Sequence, residues 1–247
     1  MAPVTGQSSS GRSVREKNPN LLLNALPADV YARVRRDLSP VSVTLRQLLH
    51  EADAIVDHVY FPANGFCSMV TLLRDGRMVE VATVGREGAV GALGAMEDVL
   101  TPTATMVQGK MGPCPAMPAD AFRREMDRLG PFHRLVMRHT QALIGIAMQS
   151  TACNATHSIE QRLARWLLAA ADHMESDEFD LTQEFAAMML GASRQTVTLA
   201  AGVLQKAGAL RYHRGHVTIV DRAALEGLSC ECYRRIVGLL ESSRPKR

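Results

Sequence analysis
One stretch constrains this chain more than any other. Residues 181–220 read LTQEFAAMMLGASRQTVTLAAGVLQKAGALRYHRGHVTIV. Thr182 is placed to cap a short helix ending near Leu190, because a threonine hydroxyl can accept an otherwise unpaired N–H of the first turn. Gly191-Ala192 then predicts a tight turn, glycine entering left-handed backbone without a Cβ clash. Ser193 is placed to cap a second helix from Arg194 to about Lys206, and Gly208 sits where helices commonly end. Two short helices joined by a glycine turn make a helix-turn-helix. Leu210–His213 and His216–Val220 then read as a hairpin about Arg214-Gly215, which adds a wing.

The second helix is two-faced. Val197, Ala201 and Leu204 recur at helical spacing and are expected to face a core. Arg194, Gln195 and Thr198 fall on the opposite side at the N-terminal end, the part of such a helix that enters the major groove of DNA. Arginine can grip guanine O6 and N7, and glutamine adenine N6 and N7. Ser193, Thr196 and the helix N-terminus can hold a phosphate, which positions without specifying. Thr182 and Gln183 at the start of the first helix, and Arg214 in the wing, complete the DNA-binding set, with Arg211 as a further phosphate anchor. From Leu181 onward there are ten Lys and Arg against five acids, +5 against +3 for the whole chain. The excess of positive charge therefore lies where the reading needs it. A winged helix used only for protein contact is the alternative, and the polar N-terminal face argues against it.

The rest of the 247 residues is organised around this segment. Residues 1–18 are rich in Ser, Gly, Arg and Lys and read as a disordered leader. Leu22, Leu26, Val30, Val34 and Leu38 predict helix, broken at Pro27 and ending before Pro40. From Val41 to Pro118 short strands follow closely: Val41–Leu45, His58–Phe61, Phe66–Leu73, Met78–Val84, Thr103–Val107 and Lys110–Cys114. Asp75-Gly76 between two of them is a hairpin signal. No helix of crossover length separates the strands, so a barrel or roll is expected rather than a parallel sheet. Ala119–Leu129 predicts a helix stopped by Gly130-Pro131. A long helix runs from about Phe132 to Thr156, with Leu135, Ala142, Ile146, Gln149 and Cys153 on one face. Met137, Ile144 and Met148 make it apolar on other sides too, which suits a dimer helix; packing only within its own chain is the alternative. Ser158 opens a further helix to Met174, and Glu175–Asp180 reads as an acidic linker.

The motifs LT-x-x-x-x-A-x-x-LGASRQTV, LQKAGAL and the Arg-Gly wing resemble those of bacterial regulators of the Crp/Fnr (cyclic AMP receptor protein/fumarate-nitrate regulator) family. The resemblance implies an α+β fold: a cyclic-nucleotide-binding-like β-roll over 19–130, a dimerisation helix over 131–156 and a winged helix-turn-helix over 157–228, followed by a tail at 229–247. It also implies a homodimer on a pseudo-palindromic double-stranded DNA operator, with RNA polymerase as a further partner. Leu199 departs from it, standing where the family often has a groove-facing arginine. In members that bind cyclic nucleotides, a Gly-Glu segment holds ribose and an arginine holds the phosphate. Here Val84-Gly-Arg-Glu-Gly-Ala-Val-Gly91 and Thr101-Pro-Thr-Ala-Thr105 occupy those places, and no Arg lies between Glu97 and Gln108. A buried phosphate without a partner is costly. Cyclic AMP is therefore not expected to bind in the family's manner. Arg86 and Glu87 are the ligand-binding candidates, a solvated loop arginine being the other reading of Arg86. A cyclic-nucleotide-responsive regulator is the alternative function.

No cofactor is expected. An iron–sulfur member would carry N-terminal cysteines, yet the first is Cys67, and the other four are Cys114, Cys153, Cys230 and Cys232. His50 and His58 are the haem-ligand candidates but lack useful spacing. Cys230-x-Cys232 matches no strong zinc pattern. It reads as two thiols in a C-terminal helix, the alternatives being a redox-active pair or half of a metal site with His213 and His216 as distant candidates, and no metal is assigned. The absence of a nucleophile elbow, a P-loop or a paired metal motif argues against an enzyme. With no apolar run of about 20 residues, no membrane span is expected, and the lack of an export signal suggests the cytoplasm.

Overall fold
The computed structural model describes residues 18–109 and 111–244. The expected leader therefore lies almost wholly outside the described residues, as do Lys110 and the basic end at 245–247. The chain opens with α1 (Leu21–Asn24) and α2 (Ala28–Val34), followed by a 3-10 turn (Arg35–Asp37). The break between the helices falls at Pro27, as its missing N–H demands.

Nine strands follow before any long helix: β1 (Ser39–Val41), β2 (Leu48–His50), β3 (Ala54–Ile55), β4 (His58–Tyr60), β5 (Phe66–Leu72), β6 (Met78–Val84), β7 (Leu100–Thr101), β8 (Ala104–Gln108) and β9 (Cys114–Pro118). A single-turn helix, α3 (Ala92–Ala95), interrupts them. The pairings are antiparallel, in the orders β1-β9-β4, β2-β8-β5-β6 and β3-β7. This is the expected roll. Two strand expectations need correction. Val41–Leu45 is strand only at Val41, because the Thr44 N–H bonds to Gln47 Oε1 at 2.9 Å and closes a turn instead. Of the expected strand Lys110–Cys114, Lys110 lies outside the described residues and Met111–Pro113 are not strand; the strand starts at Cys114 and continues through Pro118 to pair with β1 and β4.

After α4 (Ala119–Met126) comes α5 (Pro131–Thr156), with Pro131 at its first position, where no N–H is needed. One side of α5 is buried on its own chain, through Leu135, Val136, His139, Leu143 and Ile146. Another stripe is open: Met137, Ile144 and Met148 are 42%, 44% and 68% exposed. The helix α6 (Ile159–Met174) starts with a reciprocal capping box between Ser158 and Gln161. The expected acidic linker is a linker only over 175–177; its second half is a strand, β10 (Glu178–Asp180), because Phe179 turns inward to pair beside Val217.

Next come α7 (Gln183–Leu190), α8 (Arg194–Lys206), β11 (Leu210–His213) and β12 (His216–Ile219), forming a three-stranded wing in the order β10-β12-β11. The chain ends with α9 (Arg222–Leu228) and α10 (Cys232–Ser243), the latter laid along α5. One apolar core joins Phe66, Val70 and Met106 of the roll to Leu163, Trp166, Phe185 and Leu204 of the C-terminal half. Across that seam the buried Glu80 of β6 accepts the Trp166 indole N–H at 2.9 Å and the Ser68 hydroxyl at 2.5 Å. No helix among the described residues is long and apolar enough to cross a membrane.

Candidate nucleic-acid interface
The helix-turn-helix is set by local chemistry at each corner. Thr182 Oγ1 accepts the Phe185 N–H at 3.2 Å and caps α7. Gly191 ends that helix with φ +60°, and its N–H bonds to Met188. Ser193 Oγ accepts the Thr196 N–H at 3.1 Å and caps α8. Val197, Ala201 and Leu204 are fully buried, anchoring α8 against α6 and α7. That burial forces the opposite face outward. Ser193, Arg194, Gln195, Thr196 and Thr198 are exposed along it, joined by Leu199 and Val203, which are 67% and 47% exposed.

The wing turn is equally determined. Arg214 and Gly215 both have positive φ, +49° and +81°, the geometry a two-residue hairpin needs to match strand twist. Arg214 and Arg211 are exposed. Gln205 Oε1 accepts the Tyr212 N–H at 2.8 Å, tying α8 to the wing.

The face also holds partners that sequence reasoning left out. Glu184 pairs with Arg194 at 2.8 Å, both side chains being more than half exposed. Thr198 donates its hydroxyl to Gln183 Oε1 at 2.6 Å, so Gln183 and Thr198 act as one unit. Glu184 lies in the first turn of α7, two residues after its cap, and its acidity on a basic face was the signal available. Beside the wing turn Asp180 faces His216 at 3.0 Å.

Residues 161–228 match the family model of the Crp-like helix-turn-helix domain. The chain carries a Crp-like helix-turn-helix domain. Its overall fold is shared with Crp/Fnr-family regulators of solved structure. One is a transcriptional regulator of that family from Eubacterium rectale, with 19% identity over 85% of this chain and 98% of that one, at a TM-score of 0.68. A second is the c-di-GMP-responsive global regulator CLP of Xanthomonas campestris, with 14% identity over 78% and 99%, TM-score 0.65. A third is a CRP-family transcriptional regulator from Thermus thermophilus, with 21% identity over 77% and 98%, TM-score 0.64. No curated protein matches the sequence.

Ahead of the Crp-like domain, the roll encloses a cavity of about 350 Å³. Val84, Val90, Thr101 and Thr105 line it from the roll, and His139, Thr140 and Leu143 from α5. No lysine, arginine, aspartate or glutamate is among its lining residues. Its two histidines are held below their ordinary pKa, first by burial in both cases. His50 Nε2 meets the His58 carbonyl at 2.8 Å, and the His139 ring lies against Gly88, where any Cβ would be within 2.1 Å of it. Gly88 thus serves close packing.

Arg86 and Glu87 do not line this cavity. They line a second one, of about 300 Å³, between the roll, α6 and α10. Arg86 there pairs with Glu175. Glu87 is buried, accepting the Gly85 N–H at 2.7 Å and facing His173 at 3.8 Å. Burial pushes its pKa up, yet His173, the Gly85 N–H and His139 together hold it below the usual carboxylate value. The distant histidines suggested for Cys230 and Cys232 need correction as well. His216 is engaged with Asp180, whereas the two cysteines gather with Cys153 and His157.

Proposed function
We propose that this protein is a sequence-specific, DNA-binding transcription regulator that acts as a homodimer. The observation that carries the reading is α8. Its apolar face is anchored without residual exposure, while a capped N-terminus and Arg194, Gln195, Thr196 and Thr198 stand clear of the core. On DNA, Arg194 and Gln195 read base edges, while Ser193, Thr182, Gln183 and Arg214 hold phosphates. Leu199 and Val203 on the same face suit thymine methyl groups, so the operator differs from one read by arginine at that position.

The dimer forms along the open stripe of α5, placing two α8 helices for half-sites about one turn (~34 Å) apart. RNA polymerase is the partner that a dimer bound beside a promoter would meet. The roll senses an uncharged molecule in place of a cyclic nucleotide, since a buried phosphate would find no cation in its cavity. Because α5 carries both a cavity wall and the dimer stripe, occupancy can shift the population of half-site spacings.

A binding selection on genomic fragments with the purified, ligand-free protein tests this. The expected result is enrichment of a two-fold symmetric site. Retention of no fragment, with or without cell extract, would leave the Crp-like domain without DNA as its partner. A thermal shift with cyclic nucleotides is expected to show none; a clear shift would restore the cyclic-nucleotide reading.

A further inference from the structure
Two pairs of metal-ligating side chains that lie far apart in sequence meet at the elbow between α5 and α6. They are Cys153 and His157, one helical turn apart at the end of α5, and Cys230 and Cys232, which flank the start of α10. Their donor atoms all lie within 4.8 Å of one another. The three cysteines are buried and His157 is nearly so. We propose that this cluster is a structural zinc site of Cys3His type, clamping the C-terminal helix to the end of the long helix.

The distances fit one ion. With zinc–sulfur and zinc–nitrogen bonds of about 2.3 and 2.1 Å, a tetrahedron places its sulfurs about 3.8 Å apart and sulfur from nitrogen about 3.6 Å. Cys153 Sγ lies 3.5 Å from Cys230 Sγ, and Cys232 Sγ lies 3.7 Å from His157 Nδ1. The groups around the cluster are those a metal site requires. A ligating histidine ordinarily gives its other ring N–H to a carboxylate, which fixes the tautomer. Here His157 Nε2 is 3.2 Å from Glu231 Oε2, leaving Nδ1 for the metal. Gln149 donates an N–H to Cys232 Sγ at 3.1 Å.

The net charge has counter-charges nearby. Three thiolates and a divalent ion sum to one negative charge, and the guanidiniums of Arg162 and Arg165 lie within electrostatic reach, each with a buried Nε that has no hydrogen-bond partner. Binding transfers the three thiol protons to solvent and takes the neutral imidazole as fourth donor. Four protein ligands leave no open position, so the site is structural rather than catalytic. Thiolate and imidazole donors select zinc over magnesium or calcium, which take oxygen.

The test uses the full chain, expressed with zinc in the medium and purified without chelator under oxygen-free, reducing conditions. Elemental analysis is expected to find about one zinc per chain. The variant Cys114→Ala, outside the cluster, is expected to keep it, and Cys230→Ser with Cys232→Ser to lose it. In case that double variant does not fold, the wild-type chain is stripped by chelator and titrated with cobalt(II) alone. It is expected to develop the visible absorption of tetrahedral cobalt with thiolate ligands at one equivalent, and zinc is expected to bleach it. A folded wild-type chain free of metal that takes up no cobalt would overturn the proposal. So would zinc retained by the double variant, iron with cluster absorption in place of zinc, or a Cys153–Cys230 disulfide in the freshly purified protein.

Discussion

Replacing Glu80 by alanine tests what holds the roll to the Crp-like domain. Its carboxylate, 9% exposed, accepts the Trp166 indole N–H and the Ser68 hydroxyl, and the positive charge of the buried Arg165 acts on it. Alanine leaves two buried donors without an acceptor, at about 1–3 kcal/mol each. Hydroxyl rotation and water entry recover part of this, so a net loss of about 2–4 kcal/mol is expected, or about 4–16 °C in melting temperature for a chain of this size. Glutamine keeps the shape and an acceptor for the indole, and is expected to lose about 1–2 kcal/mol. Urea unfolding measures both, and Trp166, the only tryptophan in the chain, reports from within the contact itself. An alanine variant that loses less than about 1 kcal/mol, or no more than glutamine, would refute the claim that this carboxylate bridges the seam.

Arg194→Ala is expected to cost about 1–3 kcal/mol of specific binding and to relax specificity at one base position in a mobility-shift series, while Glu184→Gln, which frees Arg194 from its ion pair, tightens binding by up to about five-fold. Arg214→Ala should weaken binding to all sequences about equally and lower the salt slope by about one, as read from titrations at several salt concentrations. Ile144→Glu in the open stripe of α5 should give monomers by light scattering and abolish retention of symmetric sites; a stable dimer would point to a different interface. Burial holds His50 and His139 below 6.5, so the unfolded chain takes up protons that the folded one refuses as pH falls through that value. Stability is therefore complete above about pH 7 and declines below 6.5 by up to about 1.4 kcal/mol per pH unit for each histidine, which thermal melts from pH 7.5 to 5.5 will show.

What could be read from the sequence was whatever neighbours in the chain decide. Thr182 and Ser193 cap the helices they were expected to cap, and the helix expected to open at Ser158 does so. The turns at Gly191 and at Arg214-Gly215 also fall where expected, because each depends on a handful of adjacent residues. Strands set by partners elsewhere were harder. Glu178–Asp180 has one apolar residue and becomes strand only because β12 arrives beside it. The same holds at the site: the pairing of Arg86 with Glu175, and of Cys230 with Cys153 across 77 positions, follows from the docking of α6 and α10, which no local pattern encodes.

The apolar seam between β5, β8 and the helices beyond Ser158 bears on how such a chain can be re-engineered. A regulator whose reading head hangs on a free linker can be rewired by grafting another head. Here a graft must also reproduce the surface that Trp166, Phe185 and Met189 present to the roll. On the function proposed above, exchange of DNA specificity is confined to the outward positions of α8 and the wing tip, where substitutions leave that surface untouched.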